Sequence, residues 1–235
     1  MLEVFETEDA WSDAIAARLQ DALQTALLSG AGATFAGSGG STPSPVYRRL
    51  AAADLDWSRV TVTLVDERYV PESSDESNAA LLKRTLLSGP AGAARFVPLY
   101  SAGVTVDRAA IVASHALADV LGGPGLDAVL LGMGDDGHIC SMFPDSPTLK
   151  TLLSPTAKPA ILGVPAGRDG MAPSRERLSI NLPCLIRAKR VVLALKGAGK
   201  RAVFEREATG DPTVQPIAAL IAAKVPLEVV WTEAA

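Results

Sequence analysis

Glycine and hydroxyl residues are concentrated in one short segment, Gly-Ser-Gly-Gly-Ser-Thr at positions 37–42, between an apolar run and a helical pattern. Glycines allow close backbone approach and positive φ, so that successive N–H groups can point at one anion beside a helix N-terminus. The dinucleotide fingerprint does not fit because Thr42 stands at its third glycine, and the Gly-Lys-Ser/Thr of the ATP-type P-loop is absent. A plain turn with Thr42 as helix N-cap is the alternative. The residues expected to bind a small phosphate group are Ser38, Gly39, Gly40, Ser41 and Thr42.

A histidine ends a second glycine-rich segment, Gly-Met-Gly-Asp-Asp-Gly-His at positions 132–138. Histidine side chains are mostly neutral, and therefore basic, near neutral pH, which suits them to general base catalysis. We predict that His138 is a general base and that Asp136 orients it, with Asp66 and Asp135 as the other candidates for that role. The alternative is a turn histidine among surface aspartates. His115 lies within a helical pattern and is interpreted as a helix-surface residue.

Charged residues follow two further apolar runs. Asp66 and Arg68 come directly after the run at 60–65, and Lys200 follows Gly-Ala-Gly at the start of a helical pattern. Arg68 and Lys200 are expected to contact a phosphate or a carbonyl oxygen, with Asp66 beside the substrate. A surface salt-bridge cluster is the alternative for residues 66–68. Cys140 is a weaker candidate, because a buried, inert cysteine is more common than a reactive one.

Strands are required to position these four segments. Apolar runs predict strands at 33–36, 60–65, 126–131, 160–164, 190–195 and 227–231. Helical spacing predicts helices at 7–28, 44–53, 78–87, 107–121 and from 198 to about 208.

This alternation of strands and helices predicts an α/β fold with three layers, a Rossmann-like, mostly parallel sheet carrying helices on both faces. No linker interrupts it, so one domain is expected over residues 1–235. In such sheets ligands bind outside the carboxyl ends of the strands. Residues 37–42, 66–68, 132–138 and 197–200 all stand at such ends and are therefore expected to converge. Residues 154–177, rich in Pro and Gly, are expected to include a loop over the site.

Composition restricts the class of protein. The 235 residues are 48% apolar and 20% charged, as in a globular chain with a full core. A formal net charge of −4 and a pI near 5.3 argue against nucleic acid as a partner. No apolar run reaches the roughly 18 residues of a membrane span, and the acidic N-terminus is unlike a signal peptide. Two cysteines and two histidines predict reduced thiols and no metal site. A cytoplasmic protein follows, and a monomer or weak homo-oligomer is expected.

Taken together, five segments resemble the glucosamine-6-phosphate isomerase/6-phosphogluconolactonase family, in the family's order and over most of the chain. Residues 39–43, Gly-Gly-Ser-Thr-Pro, are similar to its phosphate loop, and residues 66–71 with Ser77-Asn78 to its second motif. Residues 132–138 with Ser-Met-Phe-Pro at 141–144 resemble its signature. Residues 177–179 and 197–200 resemble its later arginine and lysine motifs, which places Arg177 beside Lys200 among the substrate-binding residues.

The resemblance implies hydrolysis of a small phosphorylated sugar lactone, 6-phospho-D-glucono-1,5-lactone, on a sugar-isomerase type of α/β fold without a cofactor. Ile139 and Asp145 depart from the usual threonine and glycine of the lactonase motifs. Arg68 stands where the deaminase branch is expected to have tyrosine, which favours the lactonase branch. The alternatives are a glucosamine-6-phosphate deaminase or sugar-phosphate isomerase, and a non-catalytic sugar-phosphate-binding protein.

Overall fold

The structure is a computed structural model that describes residues 2–30, 32–168 and 171–234. Its strands, in chain order, are Leu2–Phe5 (β1), Ala33–Gly37 (β2), Val60–Leu64 (β3), Asp66–Arg68 (β4), Arg95–Phe96 (β5), Ala128–Leu131 (β6), Ile161–Val164 (β7), Arg177–Ile180 (β8), Val191–Lys196 (β9) and Leu227–Thr232 (β10). Its α-helices are Glu8–Ser29 (α1), Ser44–Ala51 (α2), Asn78–Thr85 (α3), Val106–Ala116 (α4), Ala118–Gly122 (α5), Leu149–Leu152 (α6), Leu182–Ile186 (α7), Ala198–Glu207 (α8) and Pro216–Ala222 (α9). Short 3₁₀ helices lie at Trp57–Arg59 and Gly89–Ala93.

Seven strands form one sheet in the order β1-β10-β9-β6-β2-β3-β5, and every neighbouring pair is parallel. The central strand β6 is buried at all four positions, as a strand covered on both faces must be. The predicted fold class is therefore confirmed. Strands β9, β6, β2 and β3 are consecutive neighbours, so the four segments that follow them leave the sheet at the same edge.

Helices cover both faces of this sheet. Parallel strands need crossover connections, which are right-handed in nearly all proteins. The chain moves one way across the sheet from β1 through β2 and β3 to β5, and the other way from β5 to β6, β9 and β10. Right-handed crossovers therefore place α1, α2 and α3 on one face and α4, α5, α8 and α9 on the other. The contacts of α1 with α2, α2 with α3, and α8 with α9 agree with this division.

Helix α1 shows how the sequence builds the layer on the sheet. Thr7 caps it, since its hydroxyl oxygen accepts a hydrogen bond from the N–H of Ala10 at 3.1 Å. Trp11, Ile15 and Leu19 recur at helical spacing and are fully buried, so the apolar stripe faces the strands. The indole N–H of Trp11 also donates to the carbonyl of Val230 in β10 at 3.2 Å, which ties the helix to the sheet.

A second, smaller sheet is built from β4, β8 and β7 in that order, all antiparallel. The expectation that residues 66–68 simply end a strand was incomplete, because they form β4 of this sheet. The expected strand at 160–164 is present as β7, but it pairs with β8 and not with the parallel sheet. Helix α4 packs against β7 and β8.

Other differences from the prediction have local causes. The single helix expected at 107–121 was wrong: the chain breaks at Leu117, whose φ of −107° and ψ of 13° are not helical, and α5 starts after it. Strands β1, β5 and β8 were not predicted, because they have only two to four residues and no clear apolar run. None of the described helices is long and apolar enough to span a membrane.

Candidate active site

A cavity of about 340 Å³ opens at the carboxyl ends of β9, β6, β2 and β3. It lies where the strand order reverses direction, between β2 and β6, the place where ligands bind in open α/β sheets. All predicted site residues except Asp136 line it. Its walls are formed by Ser38, Gly39, Gly40, Ser41, Thr42, Pro43, Asp66, Arg68, Asn78, Gly132, Met133, Gly134, His138, Cys140, Arg177, Ala194, Lys196 and Lys200.

The turn at 38–42 forms one wall. Its first carbonyl, that of Ser38, accepts a hydrogen bond from the hydroxyl of the fully buried Tyr47 at 2.6 Å. Burial raises the pKa of Tyr47 well above its usual range, so the phenol remains a donor. Gly40 has φ +92°, which an L side chain rarely adopts. The Ser38 hydroxyl oxygen is buried and has no hydrogen-bond partner among the described residues, which is expected for a group that binds a ligand.

The predicted Thr42 cap is absent. Helix α2 begins at Ser44, Pro43 occupies the N-cap position, and no side chain caps the first turn. The Thr42 side chain is therefore not used by the helix, and Thr42 lies on the cavity wall.

His138 lies at the end of a tight loop that follows β6. The N–H of Gly134 donates to the carbonyl of His138 at 2.8 Å and closes the loop, and Gly137 has φ +87°. A Cβ atom on Gly134 would lie 2.2 Å from the imidazole Nδ1 and 2.5 Å from a carboxylate oxygen of Asp136. Glycine at position 134 thus makes room for the imidazole and its carboxylate partner.

Asp136 contacts the imidazole directly. Its Oδ1 lies 2.5 Å from His138 Nδ1 and also accepts the backbone N–H of His138 at 3.2 Å. Partial burial alone raises the pKa of Asp136, but the hydrogen bonds and charge of His138 outweigh burial and lower that pKa overall. An ionised Asp136 only accepts hydrogen bonds, so this contact favours the tautomer of a neutral imidazole in which Nδ1 carries the proton and Nε2 the lone pair. The ring also packs on Phe143, with 4.2 Å between ring centroids.

Four cationic side chains and one carboxylate lie on the described cavity wall, those of Arg68, Arg177, Lys196, Lys200 and Asp66. Lys200 Nζ forms an ion pair with the exposed Asp135 at 2.8 Å, and Lys196 Nζ pairs with Glu8 at 3.0 Å. Asp66, the carboxylate on the wall, accepts the Ser141 hydroxyl at 2.6 Å. The excess of positive charge suits an anionic ligand.

The two arginines are directly opposite each other, because Arg68 on β4 is in register with Arg177 on β8. Like charges in this arrangement repel, so an anion between them would be favoured. Burial lowers the pKa of Arg177, and Arg68 lowers it further against the opposing effect of Asp66. The buried Nε of Arg177 has no hydrogen-bond partner among the described residues, and its guanidinium lies 5.8 Å from the centre of the Phe143 ring.

Glu67 holds the start of α3 in place. It is fully buried, and its carboxylate accepts the backbone N–H groups of Arg68, Asn78 and Ala79, each at 2.8 Å. The last two belong to the first turn of α3, whose N–H groups have no partner within the helix. Burial raises the pKa of Glu67, while these hydrogen bonds act in the opposite direction.

The two cysteines are free and buried. Cys140 lines the cavity, but burial raises its pKa well above the usual value and the charge of Asp66 raises it further. Burial also raises the pKa of Cys184, to about 11. Neither thiol is therefore poised as a thiolate nucleophile.

Sequence reasoning did not select Asn78 or Lys196 as site residues. Lys196 is the last residue of β9, one position before the segment that was selected, so its place at a strand end was a usable signal. Asn78 had been noted only as part of a motif, and its position at the start of α3 gives no sign that it reaches the cavity. From the proposed loop at 154–177, only Arg177 lines the cavity among the described residues, and residues 169 and 170 lie outside them.

Comparisons with known proteins identify the family and the fold. The sequence model of the glucosamine-6-phosphate isomerases/6-phosphogluconolactonase family matches residues 6–231. A 6-phosphogluconolactonase from Rhizobium meliloti is 41% identical over 232 residues, which cover 98% of this chain and 97% of that protein. A 6-phosphogluconolactonase from Pseudomonas putida is 39% identical, and the match covers 98% of this chain and 93% of that protein. The crystal structure of a 6-phosphogluconolactonase from Shewanella baltica superposes with a TM-score of 0.90 at 31% identity. The superposition covers 99% of this chain and 97% of that one.

The contacts of Glu67 predict a loss of stability on Glu67→Gln. The amide NH₂ would replace an acceptor that now serves Ala79 N–H and the Ser77 hydroxyl, and a buried donor without a partner costs about 1–3 kcal/mol. Urea unfolding should therefore show a lower free energy of unfolding. Glu72→Gln is the control, because Glu72 forms only an exposed ion pair with Lys83 and such pairs contribute little. Equal stability of the two variants would contradict this role for Glu67.

Proposed function

The chain belongs to the glucosamine-6-phosphate isomerase/6-phosphogluconolactonase family, and we propose that it hydrolyses 6-phospho-D-glucono-1,5-lactone to 6-phospho-D-gluconate with His138 as general base. This reaction is the second step of the oxidative pentose phosphate pathway. The observation that carries the proposal is that one cavity holds an imidazole oriented by a carboxylate and, beside it, a cationic site for a phosphate. Such a pair of features suits a substrate with a reactive carbonyl at one end and a phosphate at the other.

The phosphate would bind to the turn at 38–42. Backbone N–H groups of the turn and the hydroxyls of Ser38, Ser41 and Thr42 supply donors, and the unpartnered Ser38 hydroxyl is one of them. Arg68, Arg177 and Lys200 supply charge, and Asp66 contacts the sugar hydroxyls. Binding energy from this remote group fixes the lactone carbon near His138 and so contributes to the rate.

His138 Nε2 takes a proton from water as the water oxygen attacks the lactone carbonyl carbon. Asp136 stabilises the imidazolium that forms. The bond from the carbonyl carbon to the ring oxygen then breaks, and the imidazolium returns the proton to that oxygen, which leaves as the hydroxyl on C5. The product carboxylic acid ionises and releases one proton to solvent. N–H groups of the glycine-rich segments stabilise the oxyanion between the two steps.

The lactonase reaction is favoured over the deaminase reaction of the same family. Arg68 occupies the place where a deaminase is expected to have tyrosine, and here the arginine lines the cavity. The two relatives described above are named 6-phosphogluconolactonase, and the similarity to this chain covers 97% and 93% of their lengths.

The proposal extends to the protein's setting. A cytoplasmic location fits two unpaired cysteines and a phosphorylated metabolite as substrate. The proposed substrate is a small molecule and not nucleic acid, and the proposed state is a monomer or weak homo-oligomer, because every residue given a role above belongs to one chain.

A direct assay tests the activity. The lactone is generated in situ, and formation of 6-phosphogluconate is followed with and without the protein, since the lactone also hydrolyses spontaneously. The protein should accelerate acid formation above the blank. A rate equal to the blank, or release of ammonia from glucosamine 6-phosphate, would reject the lactonase proposal.

His138→Ala should lower kcat by about 10²–10⁴-fold, because that is the usual contribution of a general base. His115→Ala is the matched control, since His115 is the chain's other histidine and lies exposed on α4. Steady-state kinetics on both variants, with the blank subtracted, measure the effect. Near-normal turnover of His138→Ala would assign the base to another group.

Asp136→Asn should leave substrate affinity unchanged and lower kcat, because an amide no longer stabilises the imidazolium and permits the wrong tautomer. The kcat and KM of this variant are compared with those of Asp119→Asn, which changes an exposed aspartate of α5 that does not line the cavity. A kcat for Asp136→Asn equal to wild type would show that Asp136 does not orient the base.

Lys200→Ala should raise KM by about tenfold or more with a smaller effect on kcat, because hydrogen bonds to charged groups contribute about 1.5–3 kcal/mol. Lys83→Ala, on the exposed surface of α3, is the control for loss of a lysine. A KM unchanged from wild type would remove Lys200 from the phosphate site.

A further inference from the structure

We infer that Asn78 is a positioning residue that keeps Arg68 and Asp66 apart, so that the cation and the carboxylate both remain available to the substrate; this inference rests on the proposed function. Asn78 lines the cavity and is only 2% exposed. Nothing in the reaction itself requires an amide at this place, so its role must be sought in its contacts.

Arg68 and Asp66 are natural partners for an ion pair. They are two positions apart on β4, so both side chains project from the same face of the strand, while Glu67 between them faces α3. Both line the cavity. The ion pairs of the described residues nevertheless do not include one between Arg68 and Asp66.

The Asn78 amide stands between the two charged groups. Its Oδ1 accepts Arg68 Nη1 at 2.9 Å, and its Nδ2 donates to the Asp66 carbonyl at 2.9 Å and to Asp66 Oδ1 at 3.3 Å. The orientation of the amide is fixed by its partners, because a guanidinium only donates and a carbonyl only accepts. One neutral group thus satisfies a cation and an anion at once.

Two further contacts hold the amide in place. The backbone N–H of Asn78 donates to the buried Glu67 carboxylate at 2.8 Å, which fixes the start of α3. On the other side a Cβ atom at Gly39 would lie 1.8 Å from Asn78 Oδ1, so the amide packs directly on the phosphate turn. Asn78 therefore links the turn, Arg68 and Asp66 in one rigid arrangement.

Without the amide, Arg68 and Asp66 would attract each other across a partly buried space, where charges interact more strongly than in water. Arg68 would then be neutralised by Asp66 and would no longer attract the phosphate. The expected defect is in phosphate binding and not in the chemistry at His138.

A double-mutant cycle tests this with wild type, Asn78→Ala, Asp66→Asn and the double variant. Inorganic phosphate is the probe, measured as a competitive inhibitor and by calorimetry. Asn78→Ala should raise KM and the phosphate Ki by about tenfold or more, as expected for loss of a charge-assisted hydrogen bond, with kcat within about threefold of wild type. The gain in phosphate affinity caused by Asp66→Asn should be at least about threefold larger in the Asn78→Ala background than in wild type. In that background the substitution removes the carboxylate that neutralises Arg68.

Equal effects of Asp66→Asn in both backgrounds would overturn the inference. So would an Asn78→Ala variant that behaves like Asn181→Ala. Asn181 is the chain's other asparagine, is equally buried, and hydrogen-bonds through its amide to Lys158 and Ala160 away from the cavity. It controls for the general cost of removing a buried amide.

Asn78→Asp serves if the alanine variant does not fold. This variant keeps the size of the side chain and the oxygen that accepts from Arg68, but a second oxygen replaces the NH₂ group that donates to Asp66. It should also raise the phosphate Ki, because the new carboxylate neutralises Arg68. An unchanged Ki in this variant would overturn the inference. Calorimetry with phosphate does not depend on turnover. A wild-type protein that binds phosphate but does not hydrolyse the lactone would therefore reject the proposed function, while the phosphate-binding cycle would still decide the role of Asn78.

Discussion

The parallel alignment of β9, β6, β2 and β3 is the constraint on which the site depends. Because these strands are adjacent and run in the same direction, the segments that follow them leave the sheet at one edge. Residues from positions 38 to 200 therefore meet around a single cavity although none of the four segments is near another in sequence. The fully apolar β6 lies at the centre of this order and is buried at all four positions, as is typical of a strand covered on both faces.

The second sheet adds what the parallel strands cannot. It places Arg177 opposite Arg68 and so brings two like charges together on the cavity wall. Alternation along β4 sends Asp66 and Arg68 to the cavity and Glu67 to the start of α3. Three consecutive charged residues thus lie in two different surroundings, and the pleat of a three-residue strand separates them.

The sequence was sufficient for β2, β3, β6, β9 and β10 of the parallel sheet and for the segments that follow them, because apolar runs and glycine-rich exits are local signals. It was insufficient for β1, β5 and β8, which are short and whose pairing depends on partners far away in the chain. Alternation could have separated Glu67 from Asp66, had β4 been recognised as a strand. Asn78 could not be selected, because an asparagine at a helix start usually has a local role, and only the tertiary structure brings it against Gly39. The catalytic roles of His138 and Asp136 remain predictions.

Tyr47 joins the turn at 38–42 to the interior of the protein. Its ring packs edge-on against Phe35 of β2, with 6.2 Å between centroids, and its hydroxyl holds the Ser38 carbonyl. A turn anchored in this way has its binding shape before any ligand arrives. Little conformational entropy is then lost when the ligand binds, and more of the contact energy appears as affinity. The shape of this cavity wall therefore depends on the packing of one phenol in the core.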